Sequence, residues 1–525
     1  MIFASDLTWI ILLPVIGALA LYAAPVRIAR WIGLVTAALV FALTLFVFFR
    51  ILPTGLGSLT HLPDQVRAPW INFSVGSIPF KVDYFLGVDG LSLPLVVLNA
   101  LITLLALIGG WEKERVKEYF ALILLLEAGV MGVFMSLDLI LFFLFWEVEL
   151  APMFLLIGIW GNQVIKHGMP GRIYSAWKFL LYTFSGSIFM FAGILFLYFT
   201  NVGSGGTPTA SMPYFAQHFI GGTTTVFGIT MGAQLLTFLL IFVAFAVKIP
   251  MFPFHTWLPD AHTDAPTEVS VILAGVLLKM GTYGLVRICL TLFPQGVHEF
   301  AGWLAVFAVI NIIYGAAICL VQTDMKRLIA YSSVSHMGIV LLGVAAAASN
   351  GSEAFRMAAL TGATVQMFSH GIISGLLFFC VGVIYDKAHT REIAIFGGVA
   401  KRMPMLATLF TFAALASLGL PGMAGFVAEY MVFTSSYQIL GVITVISVFT
   451  MILTAAYLLW MINRVFFGPF NMKWNLLADA SSREMIPLYA LAAVILFVGI
   501  YPLPLIQTIT PSLTQLMHTA VAVIR

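Results

Sequence analysis

Apolar residues run along this chain in long blocks, separated by short connections in which Lys, Arg, Gly and Pro recur. A helix needs about 20 apolar residues to cross the hydrocarbon core of a bilayer. Fourteen blocks are read as such spans, at roughly 8–24, 31–51, 88–109, 119–135, 139–160, 177–200, 226–247, 268–290, 301–321, 327–347, 358–384, 405–432, 436–463 and 486–509. Backbone polar groups cannot be left bare in lipid, and runs this long exclude a barrel, so each block is expected to be helix. The expected fold is an all-α integral membrane protein of about 14 spans. The opening MIFASDLTWIILLPVIGALALYAA has no basic n-region and leads directly into a second apolar block, so it reads as a first span and not a cleaved signal.

Two spans carry their own interruptions. Pro250 and Pro253 follow Lys248 in FVAFAVKIPMFPFHTWLPDAH, and Gly419, Pro421, Gly422 and Gly425 precede Glu429 in LGLPGMAGFVAEYMVF. Proline has no N–H to donate and clashes with the preceding turn, so spans seven and twelve should break there. Broken helices at membrane depth persist only when buried in protein or lining a wet cavity. The two spans run in opposite directions, the pattern of inverted-topology repeats. The expected organisation is 1–110 for spans one to three, 111–295 for a first five-helix repeat, 296–466 for a second, and 467–525 for span fourteen and a short tail.

Composition sharpens this picture. The chain is 61% hydrophobic and 9% charged, with a mean hydropathy of +1.05, where a soluble domain carries roughly a quarter charged residues. A net charge of +3 gives no argument for nucleic acid. Cys289, Cys319 and Cys380 each stand alone in apolar runs, which suits small core residues and no cluster or disulfide. There is no GxGxxG after a strand and no GxxxxGK[ST]. Basic residues set the orientation: 17 of the 25 Lys and Arg fall in connections after odd-numbered spans. Five, Arg50, Arg67, Lys81, Arg356 and Arg525, fall on the opposite side. The positive-inside rule then puts odd connections in the cytoplasm and both termini outside. Lys248, Lys279 and Arg287 belong to neither set.

An ionisable group inside a span costs a few kcal/mol even on lenient scales, roughly 2.5–3.5 at the helix centre, and is a functional hypothesis by default. Six groups qualify: Glu147, Lys248, Lys279, His336, His370 and Glu429, with Glu127 in weaker context. Glu147 and Glu149 lie about 200° apart on one helix and cannot form a shared dyad. Lys248 sits at a break, where burial favours its neutral form and lets it give up and take back a proton. His336 has hydroxylated neighbours and His370 has Gln366 one turn away. Histidine titrates nearest physiological pH and suits a relay. His255 and His262, seven apart beside Asp260 and Asp264, are a weak metal candidate, with capping and loop packing the stronger reading. No redox centre accompanies the row, and its chemistry points to proton translocation.

The stretches FFLFWEVELAPMFLLIGIWG, KFLLYTFSGS, FHTWLPDAHTDAPTEVSVILAGVLLKMGTYGL, DMKRLIAYSSVSHMG, GLPGMAGFVAEYMVF and VDGLSLP together resemble the antiporter-like membrane subunits of respiratory complex I over essentially the whole chain. Within that family the chain is most similar to the M branch. The sister L and N branches typically carry a lysine in place of Glu429, and the L branch adds a long lateral helix where only about 15 residues follow span fourteen here.

The resemblance implies a proton-translocating subunit of a NADH:quinone oxidoreductase with no redox site of its own. FMN, iron–sulfur clusters and quinone would belong to partner subunits, and its neighbours would be L-like and N-like membrane subunits joined to a hydrophilic redox arm. It further implies that Glu147 modulates Lys248, that Lys279, His336 and His370 continue a water-linked relay, and that Glu429 ends it. Glu149 lies outside the general family pattern and is left to a lateral partner, a neighbouring subunit or a marker of the branch. The bilayer would be a bacterial plasma membrane or a thylakoid. An Mrp-type cation/proton antiporter, or a ferredoxin- or hydrogenase-linked relative, would use the same row.

Overall fold

A computed structural model describes residues 2–52, 57, 59, 62–76, 78–226 and 228–524; Arg525, counted above on the sparsely basic side, lies outside them. Among the described residues twelve helices are long and apolar enough to cross a membrane, and the helices named below are these twelve and five others. The first are α1 (Asp6–Ala23), α2 (Val26–Ile51), α3 (Leu93–Glu112) and α4 (Val116–Met135). Leu139–Trp160 divides at Glu149 into α5 (Leu139–Val148) and α6 (Leu150–Trp160), because Pro152 withholds the N–H that would bond the Val148 carbonyl. Next come α7 (Gly171–Gly203), the shorter α8 (Ala233–Lys248), α9 (Trp257–Asp264) and α10 (Thr267–Leu290). The remainder are α11 (Pro294–Cys319), α12 (Met325–Ala348), α13 (Glu353–Ala388), the short α14 (Pro404–Ser417), α15 (Ala424–Leu440), α16 (Val442–Phe467), α17 (Ser482–Ile500) and α18 (Leu503–Ile524).

Four departures from the sequence reading have local causes. The chain is mainly helical rather than purely so, with three antiparallel hairpins, the largest pairing β1 (Asp64–Val75) with β2 (Ile78–Val88). The span expected at 226–247 begins only at Ala233, because the β-branched Thr223–Val226 segment pairs with Ile229–Gly232. The span expected at 405–432 is two helices, the second continuing to Leu440. Gly441, at φ +53, ends it and starts the next. The span expected at 486–509 stops at Ile500, and α18 follows it. There Gly90 donates its N–H to the Ser512 hydroxyl (2.8 Å), and His518 stands 3.4 Å from Glu353. The chain beyond the last span is therefore a helix laid over the start of α3 and α13, not a short tail.

Ion pairs sort the connections onto two faces. On one, Lys113 meets Glu268, Lys166 meets Asp264, Arg391 meets Asp324, Lys387 meets Glu484 and Arg483 meets Glu112. On the other, Arg50 meets Asp6 and Asp64, and Arg67 meets Asp83. The alternation of basic and sparsely basic connections thus corresponds to two real surfaces. Between them α10, α12 and α13 form the centre, almost entirely shielded, while α2, α7 and α16 turn apolar side chains outward.

Candidate functional site

Helix α8 ends at Lys248, and the chain is irregular until α9. The carbonyls freed by the break are taken up locally. Trp257 donates its indole N–H to the Val247 carbonyl (2.9 Å), and Asn311 of α11 donates to the Pro250 carbonyl (3.2 Å) while accepting from Phe252 N–H (2.7 Å). The break is therefore fixed, and it aims a 1%-exposed lysine at the interruption in the α5–α6 span.

The carboxylate that receives Lys248 is Glu149, not Glu147 as expected. Lys248 Nζ donates to Glu149 Oε1, and Glu149 is fully buried against α4, where a Cβ on Gly129 would stand 3.3 Å from its own Cβ. Trp146 and Phe179 present their rings to the ammonium, each centroid 5.4 Å from Nζ. Glu147 faces away, as the helical phase requires, into a half-buried position on the side of Ser187 of α7, whose hydroxyl donates to the Thr183 carbonyl (3.0 Å). Its charge still acts on Lys248 through space. The pairing follows from the interruption at Glu149, which turns that residue, and not the preceding glutamate, toward α8.

The remaining groups form a second cluster. Helix α10 carries a π-helical turn over Leu273–Leu277, and Lys279 Nζ donates to the Ala274 carbonyl within it. The same Nζ lies at hydrogen-bond distance, 2.7 Å, from His370 Nδ1 of α13. The His370 and His336 rings lie 5.8 Å apart. His336 Nε2 is 3.1 Å from the Ser417 hydroxyl, and its Nδ1 is 3.3 Å from Glu429 Oε1. Gln366, His336, His370, Ser417 and Glu429 line a cavity of about 10 Å³, close to what one water needs. His370 Nε2 and Gln366 Oε1 have no protein partner among the described residues.

Lys279, His370, His336 and Glu429 are thus brought into one line, with His370 ahead of His336. Lys248 and Lys279 share no hydrogen bond among the described residues. Helix α10 packs on the Lys248 backbone through Gly281, where a Cβ would stand 3.1 Å from Lys248 Cβ. Glu429 sits in the helix after its break, whereas Lys248 ends the helix before its own. Gly419, at φ +83, lies between; a Cβ there would come within 2.8 Å of Glu429 Oε2.

Three residues that the sequence reading singled out without a partner or a role find their places here. Arg287, left unexplained by the spans, is paired with Asp89 beside the start of α3 and bonded to the Tyr283 hydroxyl (3.1 Å). Glu127 is buried in α4 with neither side-chain oxygen hydrogen-bonded among the described residues. His262 is fully buried, stacked on Phe378 at 4.5 Å, and both its ring nitrogens lack a partner among the described residues. The same holds for the ring nitrogens of His255, which packs against Phe252 and Tyr314. No group of three His, Cys, Asp or Glu is placed to hold a metal among the described residues.

Residues 136–454 match the family described as NADH:quinone oxidoreductase/Mrp antiporter, transmembrane. The NADH-quinone oxidoreductase subunit M of Rhodobacter capsulatus is 41% identical over 94% of this chain and 91% of its own length. The NAD(P)H-quinone oxidoreductase chain 4 of Gloeobacter violaceus is 38% identical over 97% of this chain and 92% of its own. Among solved structures, a chain of respiratory complex I from Thermus thermophilus with bound NADH superposes with a TM-score of 0.82. It is 27% identical and covers 97% of this chain and 99% of that one.

Proposed function

The chain belongs to the antiporter-like membrane subunits of the NADH:quinone oxidoreductase/Mrp antiporter family, and from that premise we propose that it moves protons in the membrane arm of a NADH:quinone oxidoreductase. Electron transfer takes place in other subunits. Its free energy reaches this chain as a change in the electrostatics around the polar row, since coupling at a distance requires that the two states differ in free energy.

The observation that carries the reading is the close succession of Lys279, His370, His336 and Glu429, with the two rings 5.8 Å apart, all of them buried. A lysine held by a carboxylate keeps its proton, and one from which the carboxylate withdraws gives it up. Glu149 is the group in position to hold Lys248, and Glu147 acts on it from farther off. Separation of the Lys248–Glu149 pair would release a proton toward Lys279, and the histidines would pass it to Glu429. The cavity beside His370 accommodates the water that such a transfer uses.

The rest of the assignment follows the same logic. Fourteen spans result when the short α8 and α14 are each joined to the helix beyond their break. Spans four to eight and nine to thirteen form the two inverted repeats, spanning 111–295 and 296–466. The basic face is cytoplasmic, both termini lie outside, and the neighbours are further antiporter-like subunits leading to the redox arm. A bacterial plasma membrane is the expected location.

The test is the assembled complex in sealed vesicles, with quinone reduction and internal pH followed together. Glu429→Gln keeps the shape of the side chain and removes its charge, and it should lower the protons moved per electron pair while the complex still assembles. Normal pumping in this variant and in Lys279→Met would sink the reading. Purification without quinone-reducing partners would instead favour a cation/proton antiporter.

A further inference from the structure

The row from Lys279 to Glu429 contains one gap. The His370 and His336 rings are 5.8 Å apart with 50° between their planes, and no hydrogen bond joins them among the described residues. Their nitrogens are engaged elsewhere. His370 Nδ1 is 2.7 Å from Lys279 Nζ, while His336 stands with Nε2 3.1 Å from the Ser417 hydroxyl and Nδ1 3.3 Å from Glu429 Oε1. A proton that reaches His370 therefore needs a carrier to reach His336.

Two side chains outside the row stand at this gap. Ser417 is the last residue of α14, where span twelve breaks. A serine inside a helix can bond back to the carbonyl four residues earlier, as Ser374 does to His370 (2.5 Å) and Ser333 to Ile329 (3.2 Å). Ser417 makes no such bond among the described residues. Its hydroxyl meets the His336 ring of α12 instead.

Gln366 is the other. It is 2% exposed and lies one turn before His370 on the same face of α13. Gln366 Oε1 and His370 Nε2 are both buried without a protein partner among the described residues, and both residues line the cavity of about 10 Å³. Ser417, His336 and Glu429 supply the rest of its polar lining. A cavity of this size holds one water, and such a water needs two to four polar partners. Buried polar atoms left bare are costly, so the two unpartnered atoms mark where that water is held.

We propose that Gln366 and Ser417 bring the proton across the gap between the two histidines, Gln366 by seating a water against His370 Nε2 and Ser417 by handing the proton to His336 Nε2. The proposal rests on the reading of this chain as a proton translocator. His370 takes a proton at Nδ1 from the Lys279 ammonium and releases the one on Nε2 to the water. The water gives one of its hydrogens to Ser417 Oγ, and the hydroxyl hydrogen passes to His336 Nε2. His336 then releases the proton on its Nδ1 to the Glu429 carboxylate. One proton enters and one leaves, the water stays water, and no electron moves. Each ring ends with its hydrogen on the other nitrogen, and reorientation of rings, hydroxyl and water restores the start. Gln366 is a positioning residue, since its amide oxygen accepts from the water and takes up no proton itself.

The experiment uses the assembled complex in sealed vesicles, with protons moved per electron pair as the readout. Ser417→Ala removes one oxygen, and Gln366→Met keeps the length of the side chain while removing its amide. Both should assemble and lower the ratio as far as Glu429→Gln does. Ser417→Thr returns a hydroxyl and Gln366→Glu an acceptor oxygen, so each should recover most of the loss. A merely structural role would leave the ratio of the assembled alanine and methionine variants at its full value. A full ratio in either one overturns the proposal, as does a loss that threonine and glutamate leave unrepaired. The Ser417 variants decide alone if Gln366→Met does not assemble. Glu429→Gln, measured alongside, separates the two ideas. If it alone lowers the ratio, the bridge falls and translocation stands; if it also pumps normally, translocation itself falls.

Discussion

Lys248 and Glu149 meet in a buried ion pair although 99 positions separate them in the chain. Each stands at an interruption of its own helix, Lys248 at the end of α8 and Glu149 between α5 and α6. The two irregularities face each other, so the pair is fixed by backbone on both sides. Desolvating two charges is expensive, and their attraction repays it only with good geometry and further contacts. The rings of Trp146 and Phe179 over the ammonium supply such contacts.

Removing one partner of such a pair leaves the other buried and uncompensated, at a cost of about 3–5 kcal/mol. Glu149→Ala should therefore lower the thermal stability of the assembled complex clearly more than Glu147→Ala, whose side chain is half-buried on the side of Ser187. Thermal inactivation of the purified variants checks this. A larger loss from Glu147→Ala would mean that the lysine pairs with the other carboxylate.

Gly419 adopts φ +83 and backs directly onto Glu429. Gly419→Ala would incur about 1–2 kcal/mol of left-handed strain and press a methyl against Oε2. The expected outcome is a complex that assembles in reduced amount and pumps fewer protons per electron pair, because Glu429 is pushed off His336. An alanine variant indistinguishable from wild type in both measurements would argue against this packing.

Asn311 holds the α8 break through both ends of its amide. Asn311→Leu leaves the Phe252 N–H and the Pro250 carbonyl without those partners, at about 1–3 kcal/mol for each buried group. Hydrogen exchange at residues 249–256 should accelerate in the assembled variant while α12 remains protected. Unchanged exchange there would show that the break is held by other contacts.

Arg287 and Asp89 pin the start of α3 to the end of α10. Asp89 also accepts from the N–H groups of Leu91 and Ser92, each at 3.1 Å. Arg287→Met should destabilise by about 3–5 kcal/mol through the carboxylate it strands. Adding Asp89→Asn, which keeps an oxygen for the two N–H groups, should recover part of that loss. A double variant no better than the single one would assign the cost to lost packing and not to the stranded charge.

The sequence by itself determined the features that local rules govern. Apolar runs of sufficient length must be helix in lipid, so most apolar blocks are legible as helix, although the ends expected at 226, 432 and 509 moved with local breaks. Pro250 and Pro253, and Gly419 with Pro421 and Gly422, dictate breaks wherever the chain goes. The 200° between Glu147 and Glu149 is a property of the helix itself, and the two do point apart. The expense of buried charge marked Lys248, Lys279, His336, His370 and Glu429 before any fold was known.

Tertiary structure decided everything that depends on which surfaces meet. It chose Glu149 over Glu147, since that choice turns on how the interrupted α5–α6 span rolls against α4 and α8. It put His370 ahead of His336, reversing chain order, because α13 and not α12 packs against the π-turn whose Ala274 carbonyl receives Lys279. It gave Arg287 a partner 198 positions away and stacked His262 on Phe378, 116 positions on. Helical periodicity reaches only one turn along the chain, whereas each of these contacts joins residues tens to hundreds of positions apart.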